Sequence, residues 1–274
     1  MCNANLRGIG QGLKIYANDN QDWYPHHYYE TKPVLDKQPP EHGVRWVGTM
    51  GSDDVLTITE KTSKTKSPTR NHPSRSLFLL VIDGTNTVRQ FICPSSGDRE
   101  DDLRNRKGQQ FYASQPGINR FDFHGYNSLS YGYQLPYGPK ARPHENLDAR
   151  VAIMADKGPY YEAGEKGLAG TVHDRRSTSQ PAQSGSDLSA EGLLRKPDDE
   201  WRPYNSRNHG NVGQNVLFQD GYVEFLKRPI VGVNYDNIYT IQSAFDTLGS
   251  MIGLVPGEDQ AVGPLTETDS FIVP

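Results

Sequence analysis

The chain has only two cysteines, three tryptophans and four methionines in 274 residues. Long apolar runs are also missing. The longest, such as Leu77–Ile82, reach about six residues, whereas a membrane-spanning helix needs about 20. Basic residues are not in excess. Lys and Arg number 29 against 33 Asp and Glu, giving a net charge of −4 and a pI near 6.1, which argues against nucleic acid as the main partner. The chain carries no GxSxG, no phosphate loop, no GxGxxG and no HExxH. His26, His27, His124, His144 and His173 are scattered through stretches that read as loops, without zinc-binding spacing. An enzyme is therefore not expected.

What is present is polar and rich in turn residues. Hydrophobic residues make up 34%, mean hydropathy is −0.73, and there are 27 Gly and 19 Pro. Long irregular connections are expected rather than a helical bundle. Fifteen Tyr and nine Phe suit either a sugar-stacking surface or, more simply, the packing of a sheet short of aliphatics. Cys2 and Cys93 are too few for a disulfide scaffold and form no CxxC pair. They leave open one Cys2–Cys93 bridge in an oxidising compartment or two free thiols.

Residues 2–17 carry Cys2, Leu6, Ile9, Leu13 and Tyr16 at alternating spacings of four and three, the single apolar stripe of a helix. The pattern is in full period at residue 2 with no cap before it, as though the chain starts inside a longer helix and lacks its targeting segment. The helix should end near Asn18–Asn20. Residues 31–74 read as a long polar excursion, with a short strand around Val55–Thr59. Ser74–Ser76 should cap a helix over Leu77–Ile82, stopped by Asp83-Gly84. Asp98–Lys107 reads as a solvated helical turn. Strands are expected at 126–135, 150–155, 214–219 and 222–227. Residues 162–200 read as a surface loop or disordered insertion, and 229–274 as a C-terminal extension with one apolar stretch. Asp220-Gly221 suits a two-residue type I′ hairpin turn. That turn sets Phe218 opposite Val223 and Val216 opposite Phe225, all four on one face.

Three segments together resemble the pseudopilin-like proteins with a C-terminal His-X9-Asp-Gly domain, of the type II secretion and prepilin-processed class. The first is Cys2-Asn3-Ala4-Asn5-Leu6-Arg7-Gly8-Ile9-Gly10 through Tyr16-Ala17-Asn18-Asp19-Asn20, then Tyr24-Pro25. The second is Phe91-Ile92-Cys93-Pro94-Ser95-Ser96 with Ser130-Tyr131-Gly132-Tyr133. The third is Asn208-His209-Gly210 through Asn215 to Asp220-Gly221 and Phe225. Ten residues, not nine, separate His209 from Asp220.

The resemblance implies an α+β, pilin-like fold over 1–274. A spine helix, with 1–20 as its second half, packs on a small antiparallel sheet within 126–228. It implies a structural subunit, exported to the periplasm or cell surface and anchored at the inner membrane before assembly by an apolar helix absent from this chain. Its partners would be other pseudopilin subunits or secretion components. The alternative is a periplasmic or cell-surface binding module that recognises glycan or a secreted protein without forming filaments. The resemblance also implies calcium as a cofactor. The oxygen-rich candidates are Asp98, Asp101, Asp102, Asp198 and Asp199, with Asp19-Asn20-Asp22 and Asp83 with Asn86 as further clusters. None has the spacing of a calcium loop, and solvated turns explain each. His209, Asp220 and Gly221 read as a structural motif in which His209 ties a loop to the hairpin and Asp220 serves the turn. A metal or catalytic role is the other reading.

Overall fold

The computed structural model describes residues 1–26, 73–103, 123, 126–136, 143–160, 189–255 and 263–273. The predicted strand at Val55–Thr59 lies outside them. The first helix, α1, spans Cys2–Asp19. Its stripe is buried as the spacing requires: Cys2, Leu6, Ile9, Leu13 and Ala17 are each 6% exposed or less, and Tyr16 packs half-buried beside them. Asn20 closes the helix, its Nδ2 donating to the Tyr16 carbonyl at 2.7 Å. Helix α2 runs Pro73–Ile82, so Ser74–Ser76 lie inside the helix rather than capping it. Pro73 takes the first position, where its fixed φ and missing N–H cost nothing.

Five antiparallel strands form one sheet: β1 (Tyr131–Gln134), β2 (Ala152–Asp156), β3 (Gln214–Phe218), β4 (Val223–Leu226) and β5 (Ile272–Val273), in the order β4-β3-β2-β1-β5. The general class is thus α+β. Tyr126–Ser128 form a 3-10 turn, which shortens the strand expected at 126–135. The fifth strand comes from the segment read as an extension, and Ile238, Tyr239 and Phe271 from that segment are buried with it. Helices α3 (Ala190–Arg195) and α4 (Asp198–Trp201) occupy the end of the stretch read as a loop. The Ser189 hydroxyl caps α3 by accepting from the Gly192 N–H at 3.1 Å. Helix α5 spans Thr247–Ile252.

The hairpin register differs from the expectation by one residue. Val216 pairs with Glu224 and Leu217 with Val223. Phe218 N–H donates to the Tyr222 carbonyl at 2.9 Å, and Gly221 N–H to the Phe218 carbonyl at 2.9 Å. Gln219-Asp220-Gly221 is therefore a three-residue loop with Gly221 at φ 91°. A type I turn followed by a left-handed residue serves this sequence as well as a type I′ turn would, and the Asp220 carboxylate stabilises it by accepting from Tyr222 N–H at 2.8 Å. The one-residue shift exchanges faces. Leu217 and Val223 join the cluster under α1, while Val216 and Phe218 join Tyr239 and Phe271 on the other side.

Three glycines of α1 lie against close neighbours. A β-carbon on Gly8 would stand 2.9 Å from Gln90, one on Gly10 3.0 Å from Leu217, and one on Gly12 would overlap the Asn86 side chain. Asn86 is itself fixed, donating from Nδ2 to the Gly8 carbonyl and to Gln90 Oε1, each at 3.2 Å. Alanine in an open helix position is better than glycine by about 1 kcal/mol. At Gly12 the clash outweighs that gain, so Gly12→Ala should lower stability by about 1–3 kcal/mol. Urea denaturation measures this, and a stabilised variant would show that α1 does not lie this close to Asn86.

Candidate functional site

The most concentrated polar chemistry lies where the start of α1 meets the start of β3. Cys2 opens the buried stripe of α1. Asn5 Nδ2 donates to the Ile92 carbonyl at 2.8 Å, which holds residues 92–93 against the helix. Cys2 and Cys93 are joined in a disulfide with Cα atoms 5.1 Å apart. Linking residues 91 positions apart removes unfolded-state freedom worth on the order of 4 kcal/mol.

His209 arrives on a 3-10 turn, Arg207–His209, whose Ser206 hydroxyl accepts from Asn208 N–H. Its Nε2 lies 3.6 Å from Cys93 Sγ, 2.9 Å from Asn215 Nδ2 and 3.2 Å from Asp156 Oδ2. The Phe225 ring meets the imidazole edge-on at 5.4 Å. Asp156, at the end of β2, is fully buried. Its Oδ1 accepts from Asn208 Nδ2 at 3.0 Å, and its Oδ2 accepts from the Asn215 backbone N–H at 2.6 Å and Nδ2 at 3.0 Å. Tyr131 stands nearby, its hydroxyl 3.5 Å from the Cys2 carbonyl. Burial, then the Asp156 charge, pushes its ionisation above the ordinary phenol range, so it remains a donor at all working pH.

The sequence-predicted residues divide. His209 does tie a turn to the sheet, through Asn215, but it also faces the disulfide. Asp220 lies beyond the other end of β3; its carboxylate serves the turn, and its carbonyl accepts from Lys14 Nζ on α1 at 3.2 Å. The two are therefore not one site. Asn208 and Asn215 stand in the third quoted segment without a role of their own, and Asp156 is not among the sequence candidates. The one available signal was an acidic residue directly after the apolar run Val151–Ala155, a charge that strand burial would carry inside.

Cys2, Cys93 and His209 offer three ligand atoms within 4.8 Å of one another. The sulfurs are bonded to each other, however, and a disulfide supplies no thiolate to a metal. The calcium candidates also fit poorly, because cations or hydrogen bonds already meet most of them. Asp98 and Asp101 are nearly buried in a stretch that forms no helix up to residue 103, contrary to the solvated turn expected there. Asp98 accepts from Lys157 Nζ at 3.0 Å and from the Ser130 hydroxyl at 2.6 Å, and Asp101 Oδ1 from Leu103 N–H. Asp198 is held by Arg228 at 2.7 Å and Lys227 at 3.6 Å, which keeps its carboxyl below the usual range. Asp199 is exposed, 3.8 Å from Arg202, and Asp102 is exposed beside Asp101. A calcium cage needs six to eight converging oxygens without a competing cation. Asp83 sits near Asp19; partial burial, then that neighbouring charge, raises its carboxyl.

A second buried acidic pair lies in the C-terminal segment. Asp236 Oδ2 accepts from Ser270 N–H at 2.7 Å, and Asp269 accepts from the N–H groups of Leu265 and Gln242. Burial raises both carboxyls, Asp236 well above its usual value with the Asp269 charge adding to the effect, and Asp269 to about 7. No family model matches the chain, and neither a curated protein nor a solved structure matches it.

A carboxyl raised on folding contributes stability at low pH and loses it as the pH rises through its folded value. Wild type should therefore weaken relative to Asp269→Asn as the pH rises from about 4 to above 7. The expected difference in melting temperature is on the order of 5 °C. Parallel melting curves across that range would refute the protonated pair.

Proposed function

We propose that this chain is the globular domain of a structural subunit in a pseudopilin-like assembly of the type II secretion and prepilin-processed class. It works by polymerising rather than by catalysis. The observation that carries this reading is the two-sidedness of α1. One side is buried on β3 and β4, while Ala4, Arg7, Gln11, Ile15 and Asn18 remain exposed on the other. Ile15 is 53% exposed, an apolar residue on a face that a neighbouring subunit would cover. The order of the three sequence segments supports the same reading. No helix among the described residues is long and apolar enough to cross a membrane. The reading takes the chain to be exported and held at the inner membrane before assembly through a segment preceding Cys2. Its partners are then copies of itself and other subunits of the system.

The test is assembly of the full-length protein in its own cell, read by chemical cross-linking and electron microscopy of sheared surface material. Ile15→Glu should leave the melting temperature of the domain within about 2 °C, since the site is exposed, and should abolish cross-linked ladders and filaments. Normal assembly by Ile15→Glu and Arg7→Glu together, or a wild-type protein found only as free monomer, would overturn the reading.

A further inference from the structure

The Cys2–Cys93 bridge needs no polar neighbour to do its structural work, because a disulfide packs well among apolar groups. Here Cys93 Sγ instead stands 3.6 Å from His209 Nε2, and the same nitrogen is 3.2 Å from the Asp156 carboxylate. Imidazole is the side chain that gives and takes protons near neutral pH. A histidine against a sulfur stabilises the thiolate, and a thiolate that is easily formed leaves easily in exchange. Both cysteines are buried, Cys93 with no exposed surface and Cys2 with 6% of its residue surface. Attack at Cys2 is the direction that puts the leaving electron pair on Cys93, the sulfur beside His209.

We propose that Cys2, Cys93 and His209 form a thiol–disulfide exchange site, with His209 carrying the proton for Cys93 and a dithiol as the reacting partner. A thiolate of the dithiol attacks Cys2 Sγ. The Cys2–Cys93 bond breaks, its electron pair leaves on Cys93 Sγ, and the His209 imidazolium gives that sulfur a proton. The second thiol of the partner, as its thiolate, then attacks its own sulfur in the mixed disulfide, and Cys2 leaves as a thiolate that takes a proton from water. The dithiol loses two electrons to become a disulfide, and the protein gains them as two thiols. In the oxidising direction His209 takes the Cys93 proton, and the resulting thiolate displaces the partner from Cys2. Exchange would free the first turn of α1 from residue 93, whether or not the chain assembles.

The groups that face His209 Nε2 are the Asp156 carboxylate on β2 at 3.2 Å and the Asn215 amide on β3 at 2.9 Å. Phe225 on β4 presents only its ring. Around Cys2 on α1, Tyr131 on β1 stays protonated. Asp98, whose charge also bears on Tyr131, is paired with Lys157.

The experiment is native-state reduction by dithiothreitol between about pH 5.5 and 8.5, a range that spans imidazole ionisation. Free thiols are trapped by alkylation and counted by mass. Rates are divided by the fraction of dithiothreitol present as thiolate. Corrected wild-type rates should rise toward acid as the imidazole gains its proton. In His209→Gln they should be independent of pH and about tenfold slower at the acid end. A flat corrected profile in the wild type overturns the proposal and needs no variant. So does a profile that His209→Gln shares, or a rate that does not depend on dithiothreitol concentration, which would mean that unfolding limits the reaction.

Discussion

A carboxylate with no exposed surface has to be met by donors from inside the protein, and Asp156 dictates how the segments around it converge. It draws in the first residue of α1 only indirectly, through His209 and Cys93. It holds the start of β3 directly, through the Asn215 backbone, and the turn before β3 through Asn208. Its own backbone carbonyl accepts from the buried Tyr239 hydroxyl at 2.8 Å, so the C-terminal segment is tied to the same point from the opposite face of the sheet. Removing one partner of such a group leaves a buried polar atom unpaired, which costs more than the bond itself contributes.

The same economy runs through the rest of the interior. A chain with 34% hydrophobic residues has little aliphatic volume with which to fill two faces of a sheet. It buries amides and carboxyls instead. Gln214 is fully buried, donates to the Leu226 and Arg228 carbonyls and accepts from Ser206 N–H. Asn205 bridges the Lys227 and Asn211 carbonyls. These side chains satisfy backbone groups that irregular connections would otherwise strand, which is how a Gly- and Pro-rich chain holds long loops against a short sheet.

What was legible in the sequence follows from the range of the interactions. The stripe of α1 is set by neighbours three and four residues away and β2 by an unbroken apolar run, and both patterns were plain. The hairpin was recognised from Asp220-Gly221, but its register depended on loop length, and both lengths suit those two residues. Helices α3 and α4 were hidden because their polar composition resembles a loop, although Ser189 and Asp198 mark their starts. Strand β5 is two residues long and carries no period. Of the site, His209 was visible as a motif residue. Asp156 was not, because its partners lie more than 50 residues away. A strand ending in an acidic residue looks the same from sequence whether the acid enters solvent or the core.

The disulfide at the first turn of α1 also decides where mechanical load would run. Tension applied to the chain ahead of Cys2 passes across the bridge to Cys93 within a single residue. Everything from residue 3 to residue 92 then sits off the load path, α1 and α2 included. The helix is not peeled from the sheet turn by turn, as a helix held only by Leu6, Ile9 and Leu13 would be. The pull enters the body of the protein at the segment beside β1 and β3, where the sheet resists it as a unit.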